Sequence, residues 1–464
     1  MTKHVQTGGV GGQGGHRSLA ELAVHTLGPH YIDDLHESSR KILGLGIDRA
    51  LLLQISRILR EDIGGLARGE QRLFRRGGLL AEHMQRSLGN RIPTQLIECM
   101  PESISTFLKD EYPPVLDQSG KRLVHLIAAS YALDRAVMDF HPTEPEKSHV
   151  AKTKDIVELS RKMVLVVGAT AVGKDTVRNG LIKELHPDLR IDQRIDRDTL
   201  LVKAEEIGIY MPVKLTGRPS RTGETHMVDY VYFDGKDGRP SEAKLASLCH
   251  DGENTLYSYL YSGHTYSLAS KTMPPEVSGM QEPVMGLLEK LQDERVRMIL
   301  CGGGTTPEAV YFKQMFPNAT IVYLLATPEE AGLLTMEREV GSRWWGRSIG
   351  ELMTPVQAGI ARLEGAVNAA IASGSTDGLL GAMQSPEVFG MHLAIPEDTT
   401  SFGADIEEKL RSRLIQVMPQ VGQALMIGPQ MDFVIVPNER GRLEVGVHRI
   451  RNTLRQRGVI AEDV

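Results

Sequence analysis

The segment VLVVGATAVGKDT, from Val164 to Thr176, restricts the possible folds of this chain more than any other stretch. An apolar, β-branched run ends at Gly168, the spacing Gly168-x-x-x-x-Gly173-Lys174 follows, and a helix-patterned segment, TVRNGLIKEL (176–185), comes directly after. Strand, glycine loop and helix in that order let consecutive backbone N–H groups converge on one point, where the helix N-terminus adds partial positive charge. A lysine at this spacing reaches the outer phosphates of a nucleoside triphosphate. The expected phosphate loop is Gly168, Ala169, Thr170, Ala171, Val172, Gly173, Lys174, Asp175 and Thr176, with Lys174 as a catalytic cation. Asp175 stands where Ser or Thr ordinarily ligates magnesium, which makes it the candidate Mg²⁺ ligand, directly or through water. Without a ligand, the same spacing would be a glycine-rich strand-to-helix turn.

The pattern around this loop is α/β. Strand-like KMVLVVG (162–168), VRMILCG (296–302), TIVYLLA (320–326) and DFVIVPN (432–438) alternate with helix-like segments, among them TPEAVYFKQM (306–315). Short apolar runs between amphipathic helices imply a parallel sheet of the P-loop NTPase type with helices on both faces. Residues 1–16 are Gly/Gln-rich and read as a disordered tail. Residues 17–145 carry apolar residues at three- and four-residue intervals and read as an all-helical domain preceding the sheet. The polar, proline-bearing stretch HPTEPEKSHVAKTKD (141–155) is the expected boundary, so that the α/β domain spans 156–460, with an insertion or extended lid around 374–430.

At 464 residues the chain has room for two or three units. Its formal net charge of −6 and 24% charged residues exclude bulk attraction to nucleic acid or to anionic membranes, so an anion site must be local. Cys99, Cys249 and Cys301 lie far apart without a Cys-x-x-Cys pair, which argues against disulfides and zinc and fits a reducing cytoplasm. The start lacks a signal-peptide pattern, and no apolar run is long enough to span a bilayer. His25, His30, His36 and His125 lack the spacing of a metal site. The helical domain carries no motif, leaving homo-oligomerisation, regulation and docking open.

A second segment carries charge in a pattern of its own. In KLTGRPSRTGETHMVDYVYF (214–233), Arg218 and Arg221 are three apart and precede Gly223-Glu224 and Asp229-Tyr230. Arg forks pair bidentately with phosphate and a phenol adds one more donor, so this segment is a candidate phosphate clamp; otherwise it is a polar hairpin with solvated arginines. It resembles the acceptor motif of the guanylate kinase family, Thr-Thr-Arg-x-Pro-Arg-x-Gly-Glu followed by Asp-Tyr-x-Phe, and YSGHTYS (261–267) is similar to the family's next phosphate-binding segment. Together with the glycine loop, the resemblance covers roughly residues 160–460. It implies that Arg218, Arg221, Tyr230 and Tyr266 hold the phosphate of a small-molecule acceptor, with ATP as donor and Mg²⁺ as cofactor. It also implies a closing lid, for which Arg338, Arg343, Arg347 and Arg362 are candidates beside Trp344 and Trp345, with Arg338, Arg347 and Arg362 expected among the catalytic cations.

The positions at which the family reads guanine differ. They fall on Lys214, Tyr257, Leu268 and the Cys301-Gly302-Gly303 region, and a purine edge left unpaired there costs about 1–3 kcal/mol per group. An acceptor other than GMP is therefore expected, a nucleoside monophosphate with altered base specificity. The Gly-Lys-Asp loop also resembles that of the ribose 1,5-bisphosphokinase branch, which implies a sugar phosphate as the alternative. A third reading is a non-catalytic phospho-ligand module, against which the intact loop lysine argues. Cys301 beside Gly302-Gly303-Gly304 either lets a ligand approach a strand end or makes a tight turn.

Overall fold

In the computed structural model of the protein, the described residues are 19–47, 52, 55–56, 94–109, 119–138, 154–169, 172–221, 224–251, 253–261, 264–325, 419–438 and 443–461. The strand predicted at 162–168 is β1 (Met163–Gly168), buried at every position. An apolar run without alternation is what a strand covered on both faces requires. Its sheet has the order β2 (Ile209–Tyr210), β7 (Met298–Gly302), β1, β8 (Thr320–Leu325), β9 (Val434–Pro437). All four pairings are parallel, with Val164 opposite Leu300 on one side and Thr320 on the other. The helices Lys174–Leu185 and Thr306–Met315 connect these strands, so the protein is α/β with a parallel sheet flanked by helices. The first of them starts at Lys174, two residues earlier than its apolar pattern suggests, because Gly173 takes the left-handed conformation at φ 77° and turns the chain directly into the helix.

A second, mixed sheet has the order β4 (Tyr230–Tyr232), β3 (Lys214–Thr216), β6 (His264–Ala269), β5 (Thr255–Tyr261). Alternation gives it two unlike faces. Leu215, Val231 and Ala269 pack with Leu245, Leu248 and Cys249 of the helix Glu242–Asp251 into a small core of their own. Register places Lys214, Thr216, Tyr230, Tyr232, Tyr259 and Tyr266 on the opposite face. That face meets the helix Thr306–Met315, where Tyr257 packs edge-on against Tyr311.

The helices Leu19–Leu27, Tyr31–Gly44, Thr94–Glu98, Glu102–Lys109 and Ser119–Met138 form the N-terminal part. From Val124 onward, almost every residue of Ser119–Met138 is buried, as expected for a helix enclosed on all sides. It lies between Tyr31–Gly44 and the α/β part, touching β5 and the helix Thr306–Met315, and the two parts share one hydrophobic cluster. Polar bonds cross the same seam. The Tyr31 hydroxyl donates to the Met426 carbonyl (2.6 Å), and Asp134 accepts from Ser56 (2.6 Å) and from Gln423 (3.0 Å). Arg135 donates to Gln314, whose amide in turn meets His36. Residues 419–427 are helical and supply Val421, Ala424, Met426 and Ile427 to this cluster. The end of the stretch read as an insertion or lid is therefore core; 374–418 lies outside the described residues. Among the described residues no helix is long and apolar enough to cross a membrane.

Candidate functional site

The glycine loop leaves β1 at its C-terminal end, in the middle of the parallel sheet, where open α/β sheets place their ligands. The Lys174 ammonium lies back across the loop and donates to the carbonyls of Gly168 (2.9 Å) and Ala169 (2.8 Å). Asn438, just past β9, braces the loop from the other side by donating to the Val172 carbonyl, and a side chain at Gly173 would come within 2.9 Å of its amide. The first N–H groups of the helix Lys174–Leu185 lack intrahelical acceptors and point toward this loop. Asp175 is largely exposed and accepts from the buried Arg178 (3.1 Å). The carboxylate in the first turn after the glycine loop is thus neutralised by its own helix, one turn on.

The acceptor segment is assembled around a carboxylate. Both terminal nitrogens of Arg218 donate to Glu224, at 2.7 and 2.8 Å, and the same carboxylate accepts from the Arg221 backbone N–H (2.8 Å) and the Tyr232 hydroxyl (2.7 Å). Burial alone would raise the Glu224 carboxyl, but these donors outweigh it and hold its pKa at about 2. The Arg218 guanidinium lies 4.6 Å from the centre of the Tyr230 ring, a cation–π contact, and Tyr230 meets Tyr266 edge-on at 6.2 Å. Arg218, Tyr230 and Tyr266 are therefore brought together. Arg221 is not in the same state: its side chain is half exposed and its guanidinium sits 3.9 Å from Glu224. The two-armed fork expected from sequence is, in this structure, one buried arginine already paired and one free to swing.

Asp175, at the glycine loop, and Tyr230, of the arginine segment, lie within electrostatic reach of each other. The Tyr230 phenol is pushed up to about 12 by burial and then by the negative charge of Asp175 and the neighbouring Tyr266. Arg197, at the start of the helix Arg197–Glu206, donates to Asn179 (2.7 Å) and senses charges from both segments. Burial lowers its pKa first, then the adjacent Arg178, while Asp175, Asp229 and Tyr230 act to raise it. The Nε of Arg178 and that of Arg197 are both buried without a hydrogen-bond partner. Two neighbouring guanidinium groups with donors to spare make a cationic wall near Asp175, and in sequence both look like ordinary solvated helix arginines.

Beyond the clamp, Glu308 is fully buried near the end of β7. It accepts from the Lys214 ammonium, from the Tyr257 hydroxyl (2.8 Å) and from the Gly304 N–H (2.6 Å), and Lys214 also donates to the Tyr259 hydroxyl (2.9 Å). Sequence reasoning passed over Glu308, whose only signal was its place three residues after the cap Thr305. Cys301, in the same region, is buried, and its thiol is pushed up to about 12 by that burial. Thr170, Ala171, Gly223, Arg338, Arg343, Trp344, Trp345, Arg347 and Arg362 lie outside the described residues.

No protein-family model matches this chain, and no curated protein matches it in sequence. Among solved structures it is similar to the crystal structure of guanylate kinase from Anaplasma phagocytophilum, at 14% identity with a TM-score of 0.28 over 63% of this chain and 84% of that one. A likeness of that size decides nothing about chemistry, which has to be argued from the geometry of the site itself.

Proposed function

We propose that the protein is an ATP-dependent phosphotransferase whose acceptor already bears a phosphate. What supports this reading is the electrostatic proximity of Asp175, in the Lys174 loop, to Tyr230 of the Arg218–Tyr230–Tyr266 group, with Arg197 within electrostatic reach of both. An oxygen of the acceptor's phosphate attacks the γ-phosphorus of ATP, forming a new O–P bond while the bond to the β-bridging oxygen breaks and ADP leaves. The product is a phosphoanhydride. The attacking oxygen is ionised at neutral pH, so no general base is needed, and the work left to the protein is positioning and charge neutralisation. Lys174 and the cationic wall suit the charge on the transferring group. On this reading the exposed Asp175 carboxylate and the Thr176 hydroxyl would hold a hydrated Mg²⁺, which would screen the triphosphate. Two acceptor classes fit the clamp, nucleoside monophosphates and sugar phosphates. Reducing conditions accord with three free, buried cysteines.

Thermal unfolding with and without saturating Mg·ATP tests the reading. A ligand that binds only the folded state at 100 times its Kd stabilises by about 2.7 kcal/mol. The wild-type unfolding temperature should rise accordingly, and Lys174→Ala should remove both the rise and acceptor-dependent ADP release while keeping the fold. A wild-type melt indifferent to ATP overturns the proposal.

A further inference from the structure

The helix that leaves the glycine loop carries polar side chains whose donors are only partly used. Asp175, Arg178 and Asn179 fall at i, i+3 and i+4, on one face of Lys174–Leu185. Arg178 is buried, and its guanidinium donates to Asp175 (3.1 Å) and, at 3.4 Å, to the Leu300 carbonyl. It lies against Gly302: a Cβ built there would come within 2.6 Å of Nη1, so the missing side chain at the end of β7 is what admits the guanidinium. β7 is the neighbour of β1, and the glycine loop leaves β1 at the same edge of the parallel sheet. Arg197, from the next helix, docks on the same face by donating to Asn179 (2.7 Å).

Two guanidinium groups held close repel each other, and burial adds to the cost. Each also keeps an N–H that meets nothing: Nε of Arg178 and Nε of Arg197 are buried without an acceptor. A tetrahedral oxyanion answers both defects, because it supplies charge and several oxygens to two planar forks at once. The charges of Asp175 on one side and of Asp229 and Tyr230 on the other reach Arg197, so an anion held there is near both segments of the proposed site. Resting on the phosphotransferase reading above, we propose that Arg178 and Arg197 form the subsite for the terminal phosphate of ATP and thereby make the protein distinguish ATP from ADP. The loop N–H groups serve the phosphates that the two nucleotides share; the two arginines serve the one that they do not.

The test is equilibrium titration of the full-length protein with Mg·ATP and with Mg·ADP, in wild type and two variants whose folding is checked by thermal melts. Wild type should bind Mg·ATP at least about tenfold more tightly than Mg·ADP. Arg197→Gln should weaken Mg·ATP about tenfold and leave Mg·ADP unchanged, a split that a merely structural arginine would not produce. Gly302→Ala changes no charge and displaces the Arg178 guanidinium, so it should weaken Mg·ATP selectively as well. Equal affinity of wild type for the two nucleotides, or a wild-type preference kept in folded Arg197→Gln, overturns the inference. If Arg197→Gln does not fold, a preference kept in Gly302→Ala overturns it instead. The underlying reading is read separately: if wild type binds neither nucleotide, the phosphotransferase proposal itself falls, whereas if both bind and the preference fails, only this inference does.

Discussion

At the scale of single residues, Glu224 determines how the acceptor segment is held before any ligand arrives. Its carboxylate collects the Arg218 fork, the Arg221 N–H and the Tyr232 hydroxyl, and its pKa in the fold is about 2, against an ordinary 4.5. A depressed carboxyl contributes stability that is fully present above its unfolded value and is lost as pH falls through its folded one. Glu224→Gln should therefore lower the unfolding midpoint at pH 7, and its gap to wild type should close as pH drops from about 4.5 toward about 2. Melts of both proteins across that range check this; a gap that stays constant with pH would mean that the carboxylate's charge does not hold the segment. On the proposed reading, an incoming phosphate would compete with Glu224 for Arg218. Arg221, half exposed and loosely paired, would then be the cation to meet that phosphate first.

At the scale of elements, the helix Thr306–Met315 shows how local chemistry fixes a boundary that the site depends on. Thr305 caps it, its hydroxyl accepting from the Glu308 N–H, and Pro307 sits in the first turn where a missing N–H costs nothing. Thr305→Ala should destabilise the protein by about 1 kcal/mol, and Thr305→Ser should restore most of it, as read from denaturant midpoints. This helix was legible residue for residue, because cap, proline and periodicity agree in TPEAVYFKQM. β1, β7 and β8 were legible to within two residues at their N-terminal ends, because strands covered on both faces leave unbroken apolar runs. The small sheet was legible only as a motif: β3 and β4 are three residues long, too short for alternation to register. Arg178, Arg197, Glu308 and Asn438 were not legible as site residues at all. Each is an ordinary polar residue in its own segment, and only packing brings Asn438 and Arg178 to the glycine loop and Glu308 to the second sheet.

At the scale of the whole molecule, the helices before residue 139 and the sheet share one core, joined by Asp134, Gln423, Tyr31 and the Met426 carbonyl. Cores joined in this way unfold together. Thermal unfolding followed separately by far-ultraviolet circular dichroism and by tyrosine absorbance should give one coincident transition, and two resolved transitions would contradict the shared core. A chain shortened to begin at residue 154 should lose cooperative unfolding, since it uncovers the faces of Thr306–Met315 and of 419–427 that Ser119–Met138 covers. The bond from Tyr31 to Met426 joins residues 395 apart. At a synthesis rate of about 5–20 residues per second, the N-terminal helices leave the ribosome roughly 20–80 s before their partner exists. During that interval the apolar surfaces that residues 419–427 cover in the finished fold stay open on a nascent polypeptide, an exposure that the enclosed interior does not advertise.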